Sequence, residues 1–323
     1  MKAKARKEKT PQNKSLFYEQ KIRPAIKDIK FYRGLYWFII PALVWYFIFW
    51  LIPLYGITLA FKDFNYRDGL FGNDWVGLKY FKTFIANPQF WMMIRNTLTI
   101  SILKMILCFP VPIIFALMLN EIQHPLSKRI MQTISYLPHF VSWVIIVAIL
   151  NKFISPYGGL INELREKFFG LTPHYYMGDT KWFYPLIILT HNYKTMGFSS
   201  ILYLSAIAGI DQELYEAAYI DGAGKMRSLL SITLPCIKPT IVLNFILNIG
   251  GLLAAGFDQI YLMTNPSNEM IANVLDVYSI NVGIKGGNFS LATAVGLFTS
   301  AISFLIVWAT NRISRRISEI SLW

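Results

Sequence analysis

The chain has 323 residues, of which 54% are hydrophobic and only 15% charged, with a net charge of +13. A soluble domain of this length needs more polar surface, so the composition places the chain among membrane proteins. Two cysteines and four scattered histidines argue against a metal site, and no RNA-recognition, zinc or helix-turn-helix pattern accompanies the positive charge, so nucleic acid is not the expected partner.

In chain order, residues 1–35 form a basic arm. Lys2, Lys4, Arg6, Lys7, Lys9, Lys14, Lys21, Arg23, Lys27, Lys30 and Arg33 face only Glu8, Glu19 and Asp28. Such an arm before an apolar run is a cytosolic anchor near anionic lipid. The run that starts near Tyr36 is too long for a signal-peptide core and lacks a small-x-small cleavage site, so it is expected to remain as a span.

Six segments are expected to cross the bilayer: Tyr36–Phe61, Leu98–Leu119, Ile134–Phe153, Phe183–Ile207, Thr240–Met263 and Leu291–Asn311. The basic arm, a short turn with Lys128 and Arg129, the loop with Lys225, Arg227 and Lys238, and the tail with Arg312, Arg315 and Arg316 then fall on one side. The opposite loops mix acids with bases and are near neutral. The positive-inside rule therefore puts both termini in the cytosol. The expected organisation is the arm at 1–35, a six-helix all-α membrane domain at 36–311 with a cytosolic loop at 208–239, and a cytosolic tail at 312–323.

The cytosolic stretch from Asp211 to Pro235 reads as helix, glycine turn, helix. Asp211 is a cap residue, and Glu213 and Glu216 lie where acids suit the helix dipole. Asp221, Gly222, Ala223 and Gly224 break the first helix. Lys225–Leu234 form a second, with Met226, Leu229, Leu230 and Thr233 on one side, which Pro235 and Pro239 end. A short amphipathic helix here either lies in the lipid interface or fills a partner's groove.

Glu216-Ala217-Ala218, Asp221-Gly222-Ala223 and Ile232 to Pro235 at this spacing resemble the EAA loop of binding-protein-dependent ABC importer permeases. The resemblance runs over nearly the whole chain, with Tyr136-Leu137-Pro138-His139-Phe140, Val274 to Tyr278, Phe289 to Phe298 and Asn311 to Trp323 as supporting stretches. It is nearest to carbohydrate-uptake permeases of the LplB/YteP type. It implies a type I importer (MetI-like) fold in a bacterial cytoplasmic membrane. The implied partners are a second, homologous permease subunit, two cytosolic ATPase subunits, an extracytoplasmic solute-binding lipoprotein and an oligosaccharide or complex glycan. ATP and magnesium would be bound by the ATPase partners and no cofactor by this chain, which would not itself be an enzyme. Glu216, Ala217, Ala218, Asp221, Gly222, Ala223, Lys225, Met226, Leu230 and Pro235 would couple the ATPase to the spans, with Glu216 in polar contact and Gly222 at the tight turn.

Polar residues inside spans are costly and mark a cavity or a subunit contact. Asn192, Tyr193 and Lys194 in the fourth span, and Asn244, Asn248, Asp258 and Tyr261 in the fifth, are candidates for a translocation path. Asn side chains equally bond across helix interfaces, and Lys194 has the alternative of pairing with an acid on a second subunit. Lys104 lies near enough to a span end to snorkel. Gly222-Ala223-Gly224-Lys225 is not a phosphate loop, since Tyr219 stands where the first Gly belongs and Met226 replaces the Ser or Thr. A stand-alone secondary transporter or channel would show repeats or charged relays, and a lipid-linked glycosyltransferase would show clustered interfacial acids. Neither pattern is present. A non-sugar solute stays open.

Overall fold

The structure, a computed structural model, describes residues 32–318. The arm before Tyr32 and the final Ser321, Leu322 and Trp323 lie outside the described residues. The chain divides into two compact units, Met1–Thr58 and Leu59–Trp323. Regular structure among the described residues is helical, apart from one isolated antiparallel bridge between Lys62 and Trp75.

In the first unit, helix α1 (Arg33–Tyr46) continues through a wide π-turn at Phe47–Leu51. Within it the Ile52 N–H donates to the Phe47 carbonyl, five residues back, at 3.0 Å. Pro53 follows. A proline ring presses on the carbonyl four residues earlier, and a wide turn just before it relieves that clash without ending the helix.

In the second unit the segment after the first apolar run is organised around Asp63. Helix α2 (Lys79–Ile85) brings the Lys79 ammonium to 2.7 Å from Asp63, and the Tyr80 hydroxyl donates to the same carboxylate. The hydrogen bond from Lys79, then that from Tyr80, holds the Asp63 carboxyl below its ordinary range.

Helices α3 (Phe90–Leu107) and α4 (Pro110–Asn120) make the second apolar crossing. It begins at Phe90 rather than Leu98, because polar residues of its first turns are satisfied by residues 270–275. Asn96 donates to the carbonyls of Met270 (2.7 Å) and Asn273 (3.2 Å), and Thr97 Oγ1 accepts the Leu275 N–H at 3.0 Å.

The third expected span is not a single helix. Helix α5 (Pro125–Tyr136), a short 3₁₀ turn at Leu137–Phe140 and helix α6 (Trp143–Ile154) form a pair bent by 102°. Pro138 ends the first segment and Ser142 caps the second, accepting the Ile145 N–H at 3.4 Å. Lys128 and Arg129 accordingly lie in α5, capped by His124, and not in a turn.

After α7 (Leu160–Phe169) comes α8 (Thr180–Ala208), whose 29 residues give about 43 Å of helix, enough to cross. Asp179 caps it by accepting the Lys181 N–H at 2.9 Å. Gly197 of α8 lets α5 approach closely, since a Cβ there would sit 2.1 Å from the Ser135 carbonyl oxygen.

Helix α9 (Gln212–Ile220) precedes a rod made of α10 (Lys225–Ser228), a π-turn at Leu229–Thr233 and α11 (Leu234–Gly250). Pro235 and Pro239 were expected to end the Lys225 helix, but they lie inside this continuous Lys225–Gly250 stretch. The cause is the device already seen before Pro53: the Leu234 N–H bonds to the Leu229 carbonyl, and the wide turn makes room for Pro235. The fifth span is corrected at its other end too. It stops at the Gly250-Gly251 pair, and α12 (Phe257–Met263) is a separate helix after a turn that includes Gly256 at φ +95°. Helices α13 (Glu269–Ala272), α14 (Leu275–Ile280) and α15 (Phe289–Ser318) complete the chain. Helix α15 passes Asn311 without a break, so the expected tail begins as helix.

Gly34–Phe61, Phe90–Asn120, Lys225–Gly250 and Phe289–Arg315 are long and apolar enough to cross a membrane, and the bent pair makes a fifth candidate. Three buried clusters hold the second unit. One joins Ile100, Val147, Ile187 and Ile260, a second Phe84, Phe90, Leu275 and Val295, and a third Ala116, Tyr203, Ile207 and Ile237.

Candidate functional site

Two places in the second unit gather the residues singled out above. The first is the helix–turn–helix from Asp211. Asp211 Oδ1 accepts the Glu213 N–H at 3.0 Å and starts α9. The helix ends in a Schellman turn: the Ala223 N–H reaches the Ala218 carbonyl (2.8 Å) and the Gly222 N–H the Tyr219 carbonyl (3.0 Å). Gly222 supplies the left-handed residue this turn needs, at φ +76°. Gly224 is extended and opens α10, accepting the Ser228 N–H at 3.0 Å.

One side of this unit is anchored. Tyr215 shares a hydrogen bond with Thr233 at 2.9 Å, and Tyr215, Ile232 and Leu234 pack against the Ala116–Tyr203–Ile207 cluster. The other side is open: Tyr219 and Ile220 are 82% and 84% exposed, and Met226 and Leu230 are exposed beside them. Glu216, Ala217, Asp221 and Lys225 are exposed too, while Ala218 and Ala223 are half-buried. Lys225 pairs with Glu121 at the end of α4, 3.0 Å away. The stripe expected from Met226, Leu229, Leu230 and Thr233 is divided, with Thr233 buried and Leu229 half-buried. The π-turn adds a residue to one turn and so rotates Thr233 away from Met226 and Leu230.

The second place is a cavity of about 500 Å³ between α3, α8, α11 and the turn from Gly251 to Gly256. Asn244 and Asn248, two of the candidate path residues, line it. Asn244 donates to the Tyr203 hydroxyl at 2.6 Å, and Asn248 donates to the Asn244 carbonyl at 2.8 Å. From α8, His191, Thr195 and Ser199 line it too, as a stripe at four-residue spacing.

Asn192, Tyr193 and Lys194 do not line this cavity. Tyr193 and Lys194 follow His191 by roughly 200° and 300° and so point to other faces of α8, whereas Asn192 borders the stripe, with its side chain at Cys108 of the cavity lining. Tyr193 is exposed. Lys194 holds the bend instead: its ammonium donates to the carbonyls of His139 (2.8 Å) and Val141, and it lies 5.6 Å from the centre of the Trp143 ring. Those carbonyls belong to the broken helix end, where a cation is favoured. Asp258 and Tyr261 do not line this cavity either, because they sit on α12, beyond the break at Gly250. Asp258 is exposed, and Tyr261 stacks on Phe257 at 5.0 Å beneath the Lys285 ammonium at 4.9 Å. Gln259 between them is a brace, donating to the Ile187 carbonyl (2.8 Å) and Thr190 Oγ1 (2.7 Å).

Sequence reasoning missed Ser101, Lys104, Ser199 and Tyr203, all of which line the cavity. Lys104 does not snorkel to an interface; its ammonium donates to the Ala255 carbonyl at 2.8 Å. The i, i+4, i+8 spacing of His191, Thr195 and Ser199 was a signal available for that wall.

Comparison with known proteins gives a consistent picture. The family described as "Binding-protein-dependent transport system inner membrane component" matches residues 108–319. The chain is 41% identical to protein LplB of Bacillus subtilis (strain 168), over 90% of this chain and 91% of the relative. It is also 41% identical to the polygalacturonan/rhamnogalacturonan transport system permease protein YteP of the same organism, over 93% of each. Among solved structures, a chain of a bacterial alginate ABC transporter, crystallised with an alginate pentasaccharide-bound periplasmic protein, superposes with a TM-score of 0.83 at 37% identity. That match covers 92% of this chain and 99% of the other.

Proposed function

The chain belongs to the binding-protein-dependent transport system inner membrane component family, within the sugar ABC importer permeases, and on that premise we propose that it forms half of a translocation path driven by a partner's ATP hydrolysis. In this reading it pairs with a second, similar permease in a bacterial cytoplasmic membrane. An extracytoplasmic solute-binding lipoprotein delivers an oligosaccharide or complex glycan. Two cytosolic ATPase subunits bind the ATP and magnesium.

The bilayer is crossed six times, with both termini inside. The crossings are Gly34–Phe61, Phe90–Asn120, the bent pair counted once, Thr180–Ala208, Lys225–Gly250 and Phe289–Arg315. Thr180–Ala208 carries the polar residues that face the cavity and the bend.

The observation that carries the reading is the pairing of an exposed apolar knuckle with a polar cavity on one continuous rod. Tyr219, Ile220, Met226 and Leu230 project from the Schellman turn, and the same Lys225–Gly250 stretch carries Asn244 and Asn248 to the cavity wall. Large apolar side chains exposed around a tight turn at the cytosolic face fit a groove on a protein partner. Glu216 and Asp221 add a polar rim, and Ala217, Ala218 and Ala223 keep the turn slim. Pro235 sets where the rod leaves the docking helix. At the other end, hydroxyls and amides of Tyr203, Thr195, Asn244 and Asn248 match the hydroxyl groups of a sugar.

The test is purification of the complex from its native membrane, followed by ATP-driven uptake in vesicles. An ATPase and a second permease are expected to co-purify. Purification of an active transporter that lacks an ATPase would sink the reading.

A further inference from the structure

We propose that Lys104 makes the cavity selective for glycans that carry carboxylate groups. The inference rests on the cavity being the substrate path and adds a charge preference to it.

A lysine within an apolar crossing is expensive and calls for a partner. Lys104 lies in α3 and reaches the cavity, where its ammonium meets the Ala255 carbonyl at 2.8 Å. That carbonyl is presented by the turn at Gly256, whose φ of +95° suits glycine and where a Cβ would lie 3.0 Å from the ammonium. A carbonyl accepts one of three N–H donors but does not neutralise the charge. None of the cavity-lining residues is Asp or Glu. The cavity therefore has an uncompensated positive centre among otherwise neutral hydrogen-bonding groups.

Two neighbours strengthen this. Ser101 and His191 line the same cavity, and Ser101 Oγ and His191 Nδ1 are buried without a hydrogen-bond partner among the described residues. A hydroxyl and an imidazole beside an ammonium make a compact set for a carboxylate, with Asn244, Asn248 and Tyr203 left to bind ring hydroxyls. A neutral sugar satisfies the hydroxyl-binding groups only. A uronic-acid residue satisfies both.

The discriminating experiment uses the complex purified with its partner subunits, in detergent and without the solute-binding protein, so that only the membrane subunits select. Equilibrium binding of a galacturonate trisaccharide is compared with that of its carboxyl-reduced, neutral twin. The wild type should prefer the acid by about tenfold, as for a hydrogen bond to a charged group, and the preference should shrink as salt is raised. Lys104→Met should abolish the preference by weakening the acid at least about tenfold more than the neutral trisaccharide, and Lys104→Arg should keep it. Equal loss of both ligands in Lys104→Met would show that the lysine only pins the turn, and would overturn the proposal. Equal binding of the twins by the wild type would overturn it too. Binding of neither would remove the path reading, and this inference with it.

Discussion

The helix–turn–helix after Asp211 and the cavity are built on opposite plans. The first closes on itself: its cap, its Schellman bonds and its positive-φ glycine lie within a few residues of one another, and the bond from Tyr215 to Thr233 fastens it to the rod. The cavity is assembled from α3, α8, α11 and a glycine turn, so its walls come from residues far apart in the chain. A locally determined element can be damaged without disturbing what lies above it. A wall shared by three helices passes a change on to its neighbours.

The largest effect should come at Gly222. A Cβ there meets no atom within 4 Å, but a Val must hold φ +76°, a strained conformation for a β-branched residue. Gly222→Val should cut ATP-driven uptake at least about tenfold, while the protein still reaches the membrane and still binds ligand in the cavity. Gly224→Ala, equally unhindered but at an extended φ, should transport normally. Ligand binding that fails together with uptake in Gly222→Val would break the separation of the two regions.

Next comes Lys194, which serves neither region directly. Lys194→Met leaves the His139 and Val141 carbonyls without their cation, a loss on the order of 1–3 kcal/mol. The purified complex should melt earlier, and both transport and cavity binding should weaken together. An unchanged melting temperature would show that the bend does not depend on this residue.

A smaller and more selective effect is expected in the wall. Asn248→Leu should lower uptake several-fold without changing the melting temperature, whereas Tyr193→Ala, exposed on another face of α8, should leave ligand affinity in the cavity as it was. Reversal of that order would relocate the path to the opposite face of the helix.

The smallest effects belong to exposed charge pairs. Lys225→Ala removes the contact with Glu121 and should leave stability unchanged. Asp63 has its carboxyl held below the ordinary value, so its contribution is complete at neutral pH, is lost progressively as the pH falls below the unfolded value near 3.8, and is gone once acid has taken the pH through the lower folded value. Thermal melts of Asp63→Asn and wild type should therefore differ slightly at neutral pH and converge at low pH.

The helix–turn–helix was readable because its determinants are local. Asp211 caps, Gly222 turns, and the motif spacing follows from the turn's own hydrogen bonds. The prolines misled for a physical reason. Pro235 reads as a stop, but a five-residue wide turn before it lets the helix continue, and nothing in Leu229 to Thr233 announces that turn. The same limit applies to Lys194 and Lys104. Each is a charge in an apolar run, and only tertiary packing decides that one braces a broken helix while the other enters a cavity. Asp258 and Tyr261 were assigned to the path by assuming a straight fifth span, which the Gly250-Gly251 pair interrupts.

The uninterrupted rod has a mechanical consequence. From the π-turn at Leu229–Thr233 to Asn248 is roughly 25 Å at 1.5 Å per residue, so a tilt of about 10° at the turn sweeps the Asn248 amide by about 4 Å. That exceeds the length of a hydrogen bond. The wide turn is the one place along the rod where the backbone is already out of α-register, and so the natural pivot for such a lever. A small shift of the exposed knuckle could thus exchange the contacts a bound molecule makes, while the helix carrying the motion stays rigid.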